Sequence, residues 1–525
     1  MGAGWHAAPH CGKPQTVVPG ACKGGGRIDK GNLGPHCPAL PVRDWNRAGE
    51  ECARFARRRM DRRYFLMGAA AAATAGKRVF AGANDTVRIA IVGCGGRGNS
   101  HLREWTTLPN VELVAISDVD QSRMAGFVKR VESSGKKAPQ AFQDMRKILD
   151  DKSIDAISIA SPNHWHALQT IWACQAGKDV YVEKPCTHNI FEARQIVAAA
   201  RKYDRIVQQG SQSRSSTALQ EGVQKMREGL IGDVYMARGL CYKTRNTIGR
   251  TPVSEVPEGV DYDLWTGPAP KRPFSKNRFH YNWHWFWDTG DGDIGNQGIH
   301  EMDKARWGLG VKYPIKASAI GGKVMFDDDQ ETPNVLNASF EFNENGKTKI
   351  LEFEVRHWFT NREYIVPGTG GGAGAGRGPG GGAGAGAGRG PDAGRGPGGP
   401  IGGPIGGGTI GNLFYGSNGY LVIDNYNKYF SFVGREQAPG PTATKSDTHF
   451  QNFLDAVRAH KKEMLNCEIE EGAASTVLVH LANISYRLGR TIHFDPKTLT
   501  CVKDPEASKL ATRIYRKPFV VPEKV

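Results

Sequence analysis

At 525 residues, 39% of them hydrophobic and 23% charged, the chain is long enough for two or more domains with real cores. No apolar run reaches the ~18 residues a membrane-spanning helix needs, so no stable membrane anchor is expected. The formal charge of +16 is uneven: residues 1–83 hold 14 Lys/Arg against 5 Asp/Glu, which leaves +7 on the remainder. With no aromatic RNA-binding pattern and no zinc-finger spacing either, nucleic acid is not an expected partner.

The longest apolar stretch follows Arg62 and Arg63 and runs to the small-residue site Ala81-Gly82-Ala83. Residues 60–83 resemble a bacterial twin-arginine export signal, the alternative being a buried Ala-rich helix. On the first reading translation starts at Met60, and residues 1–59 are an upstream over-call or a disordered leader. The twin-arginine translocase is then a partner during export, and the mature protein is periplasmic or otherwise extracytoplasmic. Four of the ten cysteines fall in that leader, and the other six show no CxxC spacing, so a disulfide framework is not expected.

From Val87 the texture is α/β. "VRIAIVG" reads as a buried strand, "GCGGRG" as a glycine turn and "VELVAISD" as a second buried strand. "DAISIASP" and "DVYVEKP" continue a parallel series with helices between. Asn189 and Glu192 are placed as a capping box for the helix that follows. This first domain is taken as 84–210. Beyond it, "VYMARGLCY", "IKASAIGGKVMF", "VLNASFEF" and "TKILEFEVRHW" alternate as strands of an open, mostly antiparallel sheet with one exposed face. Two helices, "THFQNFLDAVRAHKK" and "EGAASTVLVHLANISYRLGR", close a second α/β domain, 211–500, ahead of a C-terminal tail, 501–525. Its insert, 368–408, has 23 glycines in 41 positions, a composition that cannot build a core and is expected to be disordered.

Gly93, Gly95 and Gly98 directly follow the first strand, and Asp118 ends the second strand 20 residues beyond Gly98. That is the dinucleotide fingerprint: the glycines admit a pyrophosphate to the backbone, the helix N-terminus stabilises its charge, and the acid binds the adenosine ribose. A carboxylate at Asp118 favours NAD over NADP, a preference that Arg97 or Arg123 could upset.

"VGCGGRG", "SPNHWHA", "YVEKP" and "GNQGIHEMDKARW" in this order resemble the Gfo/Idh/MocA oxidoreductases over residues 86–500. The resemblance implies an N-terminal Rossmann domain and a C-terminal α/β domain with an open sheet. It also implies that Ser161, Pro162, Asn163 and His166 line the nicotinamide half of the cofactor, that Glu183 helps to hold that half, and that Lys184 is the catalytic lysine of the Glu-Lys-Pro motif. His300 matches the histidine of an Asp-x-x-x-His motif whose aspartate is here Asn296. Relatives include NAD-dependent glycosidases and enzymes that couple two sugars.

Oxidising a sugar alcohol requires a proton acceptor. Histidine starts near ~6.5, and lysine at ~10.4 needs burial or nearby positive charge to come down. Lys184 and His300 are expected to handle the proton. Asn296 is expected to bind a substrate hydroxyl or to orient His300, leaving that histidine near its intrinsic pKa. Between them, "FHYNWHWFWDTGDGD" mixes aromatic and polar groups suited to a sugar ring. Trp285 and His284 are taken as substrate-binding, Arg214 with them, and Gln212 and Tyr242 as weaker candidates. His280 and His284, with Asp288, Asp291 and Asp293, fit no standard metal spacing, so no metal is expected.

The expected protein is an exported NAD-dependent oxidoreductase acting on a sugar or sugar-derived alcohol, and homo-oligomeric. A periplasmic enzyme has no free NAD pool, which brings forward a glycosidase or sugar-coupling enzyme that recycles bound NAD. A non-catalytic sugar-binding protein on the same fold is the further alternative.

Overall fold

The computed structural model describes residues 86–357 and 409–525. The expected leader, the expected export signal and the glycine-rich insert lie outside the described residues.

Six short strands, β1 (Val87–Val92), β2 (Val111–Ser117), β3 (Gln140–Phe142), β4 (Ala156–Ile159), β5 (Asp179–Val182) and β6 (Val207–Gln209), form one sheet in the order β3-β2-β1-β4-β5-β6. Every pairing in it is parallel. Both faces of such a sheet are covered by crossover helices, which is why β4 and β5 are buried at all four positions. The crossovers include α1 (Gly96–Thr107), α2 (Gln121–Ser133), α3 (Asn163–Gln175) and α4 (Ile190–Lys202). Strand order reverses between β1 and β4, where doubly wound sheets open a crevice at their carboxyl ends.

Asn189 caps α4 through its side chain, accepting from the Glu192 amide at 2.9 Å. The reciprocal bond differs from a standard capping box: Glu192 accepts from the His188 amide, one residue earlier, at 2.7 Å.

The second sheet has ten strands in the order β14-β13-β12-β11-β7-β10-β9-β8-β15-β16. They are β7 (Val234–Tyr242), β8 (Lys316–Gly322), β9 (Val335–Glu344), β10 (Lys347–Arg356), β11 (Ile410–Gly416), β12 (Gly419–Asp424), β13 (Lys428–Val433), β14 (Ala438–Thr444), β15 (Ile492–Asp495) and β16 (Thr500–Cys501). All ladders are antiparallel except β7 with β10. β9 alternates buried and exposed residues along its length, the pattern of a sheet with one face on the core. The fold is thus α/β, a Rossmann-type parallel sheet followed by a mostly antiparallel open sheet.

Three later helices matter for the site: α5 (Gly292–Asn296) and α6 (Gly298–Leu309), separated by a break at Gln297, and α7 (His449–Ala459). α7 returns to the first sheet. Its Phe450 and Phe453 pack against Trp105 of α1 and Tyr181 of β5, with ring centroids 4.6–5.9 Å apart. The parallel-sheet unit therefore draws part of its core from beyond residue 445. At the chain's end Phe519 packs edge-on against Trp165, 5.3 Å between centroids, so the C-terminal segment is docked beside α3.

Candidate functional site

The carboxyl ends of β1, β2, β4 and β5 open into a cleft of about 450 Å³, closed on its far side by α5, α6 and the loop after β7. Gly93 sits at its base with φ +94°, and a Cβ there would lie 2.6 Å from the Ala160 carbonyl oxygen. Gly98 does not line the cleft. A Cβ on it would fall 1.9 Å from the Gly93 carbonyl oxygen, so its role is to let α1 approach the strand turn. The first turn of α1 carries no side-chain cap and no acidic residue, leaving its amides available to an anion. Asp118, at the end of β2, accepts from the amides of Cys94 (2.7 Å) and Asp120 (3.0 Å), which fixes the carboxylate beside the glycine turn. These residues fit a dinucleotide: glycine approach, a free helix N-terminus and an acid at the ribose position.

Around the middle of the cleft the expected cofactor residues Gly93, Gly95, Arg97, Asp118, Ser161, Asn163, His166 and Glu183 all contribute to its wall. His166 lies between the carbonyl oxygens of Ser161 and Pro185, 2.7 Å from each, and so ties the ends of β4 and β5 together. The Asn163 amide donates to Asp291 at 3.2 Å. Glu183 accepts from Arg97 Nε at 2.6 Å and His101 Nε2 at 3.0 Å. Burial alone would raise its carboxyl, but Arg97 and His101 hold it well below the usual range.

Lys184 and His300 reach this same cleft. Lys184 Nζ donates to the main-chain carbonyl of Asn296 at 2.7 Å. Burial, helped by the charges of Arg97 and Lys243 and opposed by Glu183, brings its pKa down to about 8. His300 stands in the first turn of α6, its ring edge-on to Tyr426 with 5.5 Å between centroids. The expectation that it keeps its intrinsic pKa is corrected: burial, then the positive charges of Lys184 and Lys304, push it well below. Nor does Asn296 spend its side chain on His300, since its amide donates to Asp293 at 3.2 Å.

Of the expected substrate residues, Asn296 and His284 line the cleft, as does Gln212. His284 stacks on Trp283, 3.6 Å between centroids, and burial pushes its pKa down to about 3. Trp285 does not line the cleft. It is buried behind, edge-on to His357 (5.9 Å) and beneath the Arg245 guanidinium (5.4 Å), because the helical turn at 282–285 points Trp283 and Trp285 in different directions. Arg214 is also displaced from its expected role. It forms a two-pronged ion pair with Asp303, 2.9 Å in each arm, joining the loop after β6 to α6. Tyr242 is likewise turned away, its hydroxyl donating to Glu354 at 2.7 Å.

Residues absent from the sequence reading complete the wall: Lys243, Arg245, Gln297 and Tyr426. Lys243 donates to the Gln297 side-chain oxygen, and Arg245 pairs with Asp293 through two nitrogens (2.7 and 3.1 Å). Lys243 and Arg245 lie two apart just past the end of β7, a spacing that keeps them on one face of an extended chain, so strand periodicity could have flagged them. Tyr426, in the turn between β12 and β13, has no such signal.

A parallel dinucleotide-type sheet, a glycine turn at its carboxyl edge and a lysine with a lowered pKa opposite define a nicotinamide-dependent oxidoreductase. Comparison with known proteins agrees. Residues 87–211 match the NAD-binding Rossmann fold of the Gfo/Idh/MocA oxidoreductase family, and residues 233–338 and 427–521 match its C-terminal alpha/beta domain. The chain belongs to this family. A glycosyl hydrolase family 109 protein of Shewanella pealeana is 32% identical over 122 residues, 22% of this chain and 27% of that protein. One from Shewanella baltica (strain OS155 / ATCC BAA-1091) is 31% identical over the same length. The match thus spans about a quarter of these curated relatives. Among solved structures, aldose-aldose oxidoreductase from Caulobacter crescentus complexed with glycerol has a TM-score of 0.55 at 16% identity, covering 78% of this chain and 100% of that one. Levoglucosan dehydrogenase in complex with NADH and levoglucosan has a TM-score of 0.55 at 15% identity, covering 78% and 99%. At such identities the likeness is one of fold.

Proposed function

We propose that this chain oxidises an alcohol group of a sugar or sugar derivative with NAD, Lys184 taking the hydroxyl proton. The observation that carries the reading is the position of Lys184: its amine opens into the cleft shared with the dinucleotide turn and titrates at about 8. When bound, NAD supplies the hydride acceptor. An amine with this pKa is substantially neutral at mildly alkaline pH and can accept a proton there, as the Brønsted argument for a base near the working pH requires. The Asn296 carbonyl fixes its direction. His300, held neutral, serves as a hydrogen-bonding partner to the same hydroxyl, since a group titrating well below neutrality is a poor proton acceptor. Trp283 and His284 offer a stacked apolar face to the sugar ring.

The likeness to glycosyl hydrolase family 109 proteins favours a second reading, a glycosidase that oxidises and re-reduces its substrate on retained NAD. Export through the twin-arginine route belongs to the proposal, supported by Arg62, Arg63 and the apolar run after them, and it makes a retained cofactor more economical than an exchanged one. One experiment separates the readings. Protein beginning at Asn84 is incubated with NAD and a panel of free sugars and glycosides, and both nicotinamide absorbance and sugar products are followed. Stoichiometric reduced cofactor with an oxidised sugar supports the dehydrogenase; cleaved glycoside without net cofactor reduction supports the glycosidase. No conversion of any sugar defeats both.

A further inference from the structure

The charges around the inner cleft do not cancel. Arg97 is matched by Glu183, Arg245 by Asp293, and Lys304 lies 3.6 Å from Glu301. Two ammonium groups remain, those of Lys184 and Lys243. Among the described residues, neither has a carboxylate within ion-pair distance; each is held by an amide oxygen, that of Asn296 or Gln297. Both line the same cleft. Lys184 is accounted for by the proton transfer proposed above. Lys243 is not: an ammonium with three donors spends one on Gln297, and it reaches the cleft from the loop after β7, not from the parallel sheet that carries the glycine turn.

We infer that the substrate is an acidic sugar, a uronate or aldonate, whose carboxylate is received by Lys243. The inference rests on reading this cleft as a sugar-oxidising site and adds the substrate's charge. With Lys184 reserved for the reacting hydroxyl, one unmatched ammonium is left for the rest of the sugar, and it fits a monoanion. A phosphate dianion would call for a guanidinium fork or several converging donors, and the fork available here, Arg245, is already occupied on two nitrogens by Asp293 and on the third by the Tyr281 hydroxyl at 3.2 Å. Gln297 does more than hold Lys243. Its other side-chain atom donates to the Tyr426 hydroxyl at 2.7 Å, so the ammonium is positioned by a chain that ends on the ring facing His300. The acidic end of the sugar and its reacting hydroxyl are thereby referred to one framework.

The test uses the NAD-loaded protein and matched pairs: glucose with glucuronate and with gluconate, galactose with galacturonate, and glucose 6-phosphate as the dianion. Binding is followed by quenching of tryptophan fluorescence, Trp283 lying in the cleft, and turnover is followed separately. Each acid should bind about tenfold or more tighter than its neutral partner, and the advantage should shrink as salt is raised. Lys243→Met should abolish that ratio, and Lys243→Arg should restore part of it. Equal affinity for acid and neutral sugar, an acid preference that survives Lys243→Met, or tighter binding of glucose 6-phosphate than of glucuronate would each overturn the inference. Because binding is read without turnover, acid-selective binding with no oxidation would sustain the inference while defeating the proposed function. Turnover of neutral sugars alone would do the reverse.

Discussion

Asn296 holds Lys184 by its main chain, 2.7 Å from the ammonium nitrogen, and directs its side chain to Asp293 instead. An amide where the resembled motif has an acid therefore adds no further carboxylate to Glu183 and Asp293 around Lys184, whose pKa stays near 8 rather than closer to the usual value for lysine. Asn296→Ala removes only the bond to Asp293, so the alkaline-rising limb of kcat/KM should stay where it is. Asn296→Asp sets two carboxylates side by side; once both are ionised, the added charge favours the ammonium, and the limb should move up by roughly half to one pH unit. Full pH profiles of both variants check this, and a limb that moves equally in the two would show that the side chain, not its charge, sets the lysine.

Lys184→Met should lower kcat by about 10²- to 10⁴-fold, the usual weight of a general base. The stability effect has the opposite sign. A lysine whose pKa is depressed in the folded state binds fewer protons there than when unfolded, between about 8 and the ordinary 10.5. Folding stability then rises with pH across that window, and the cost of burying the charge is fully present below it. At pH 7 the methionine variant should be more stable, by on the order of 1 kcal/mol once the partial solvent access of Lys184 is allowed for. At pH 10.5 the gap should narrow. Denaturant titrations at the two pH values test the sign directly.

Gly98→Ala forces a methyl against the Gly93 carbonyl, which belongs to the turn itself and cannot swing away as a side chain could. Overpacking of this kind costs about 1–3 kcal/mol, and here it is paid in the geometry of the anion cradle, so NAD affinity should fall about tenfold or more. Gly126→Ala, on the solvent side of α2 with its nearest neighbour 3.6 Å away at the end of a flexible arginine, is the control and should leave NAD binding intact. Fluorescence titration with NAD separates the two.

Much of the fold could be read along the chain because its signals are local. The strand-turn-helix at 87–107 couples a buried run to a glycine turn within a dozen residues, and the alternation in β9 is a two-residue period. The site was legible where it lies at the ends of such elements, as Glu183, Lys184 and Asp118 do. It was not legible where tertiary packing chooses between neighbours. Trp283 and Trp285 are equally aromatic in sequence, and only the helical turn decides which meets the cleft. The packing of α7 onto α1 joins residues more than 340 apart, which no local period can signal. The readiest misreading was a lone basic residue: Arg214 carries the same sign as Arg97, and nothing in its immediate sequence announces the aspartate it meets 89 residues later.

That pair leads to the last prediction. Arg214 and Asp303 are both buried, their side chains 5% and 1% exposed, and Ser475 donates to the same carboxylate at 2.6 Å. Breaking such a pair by removing one partner leaves an uncompensated charge away from water and costs about 3–5 kcal/mol, even where the intact pair adds little beyond an apolar replacement. Arg214→Ala should accordingly lose that much stability. Its activity per folded molecule should hold near wild type at low temperature, because Arg214 does not line the cleft. Arg214→Met with Asp303→Leu, which removes both charges, should recover most of the loss. Urea unfolding of the wild type and the two variants, with KM for sugar measured on each, checks the assignment. A large rise in KM without loss of stability would return Arg214 to the substrate.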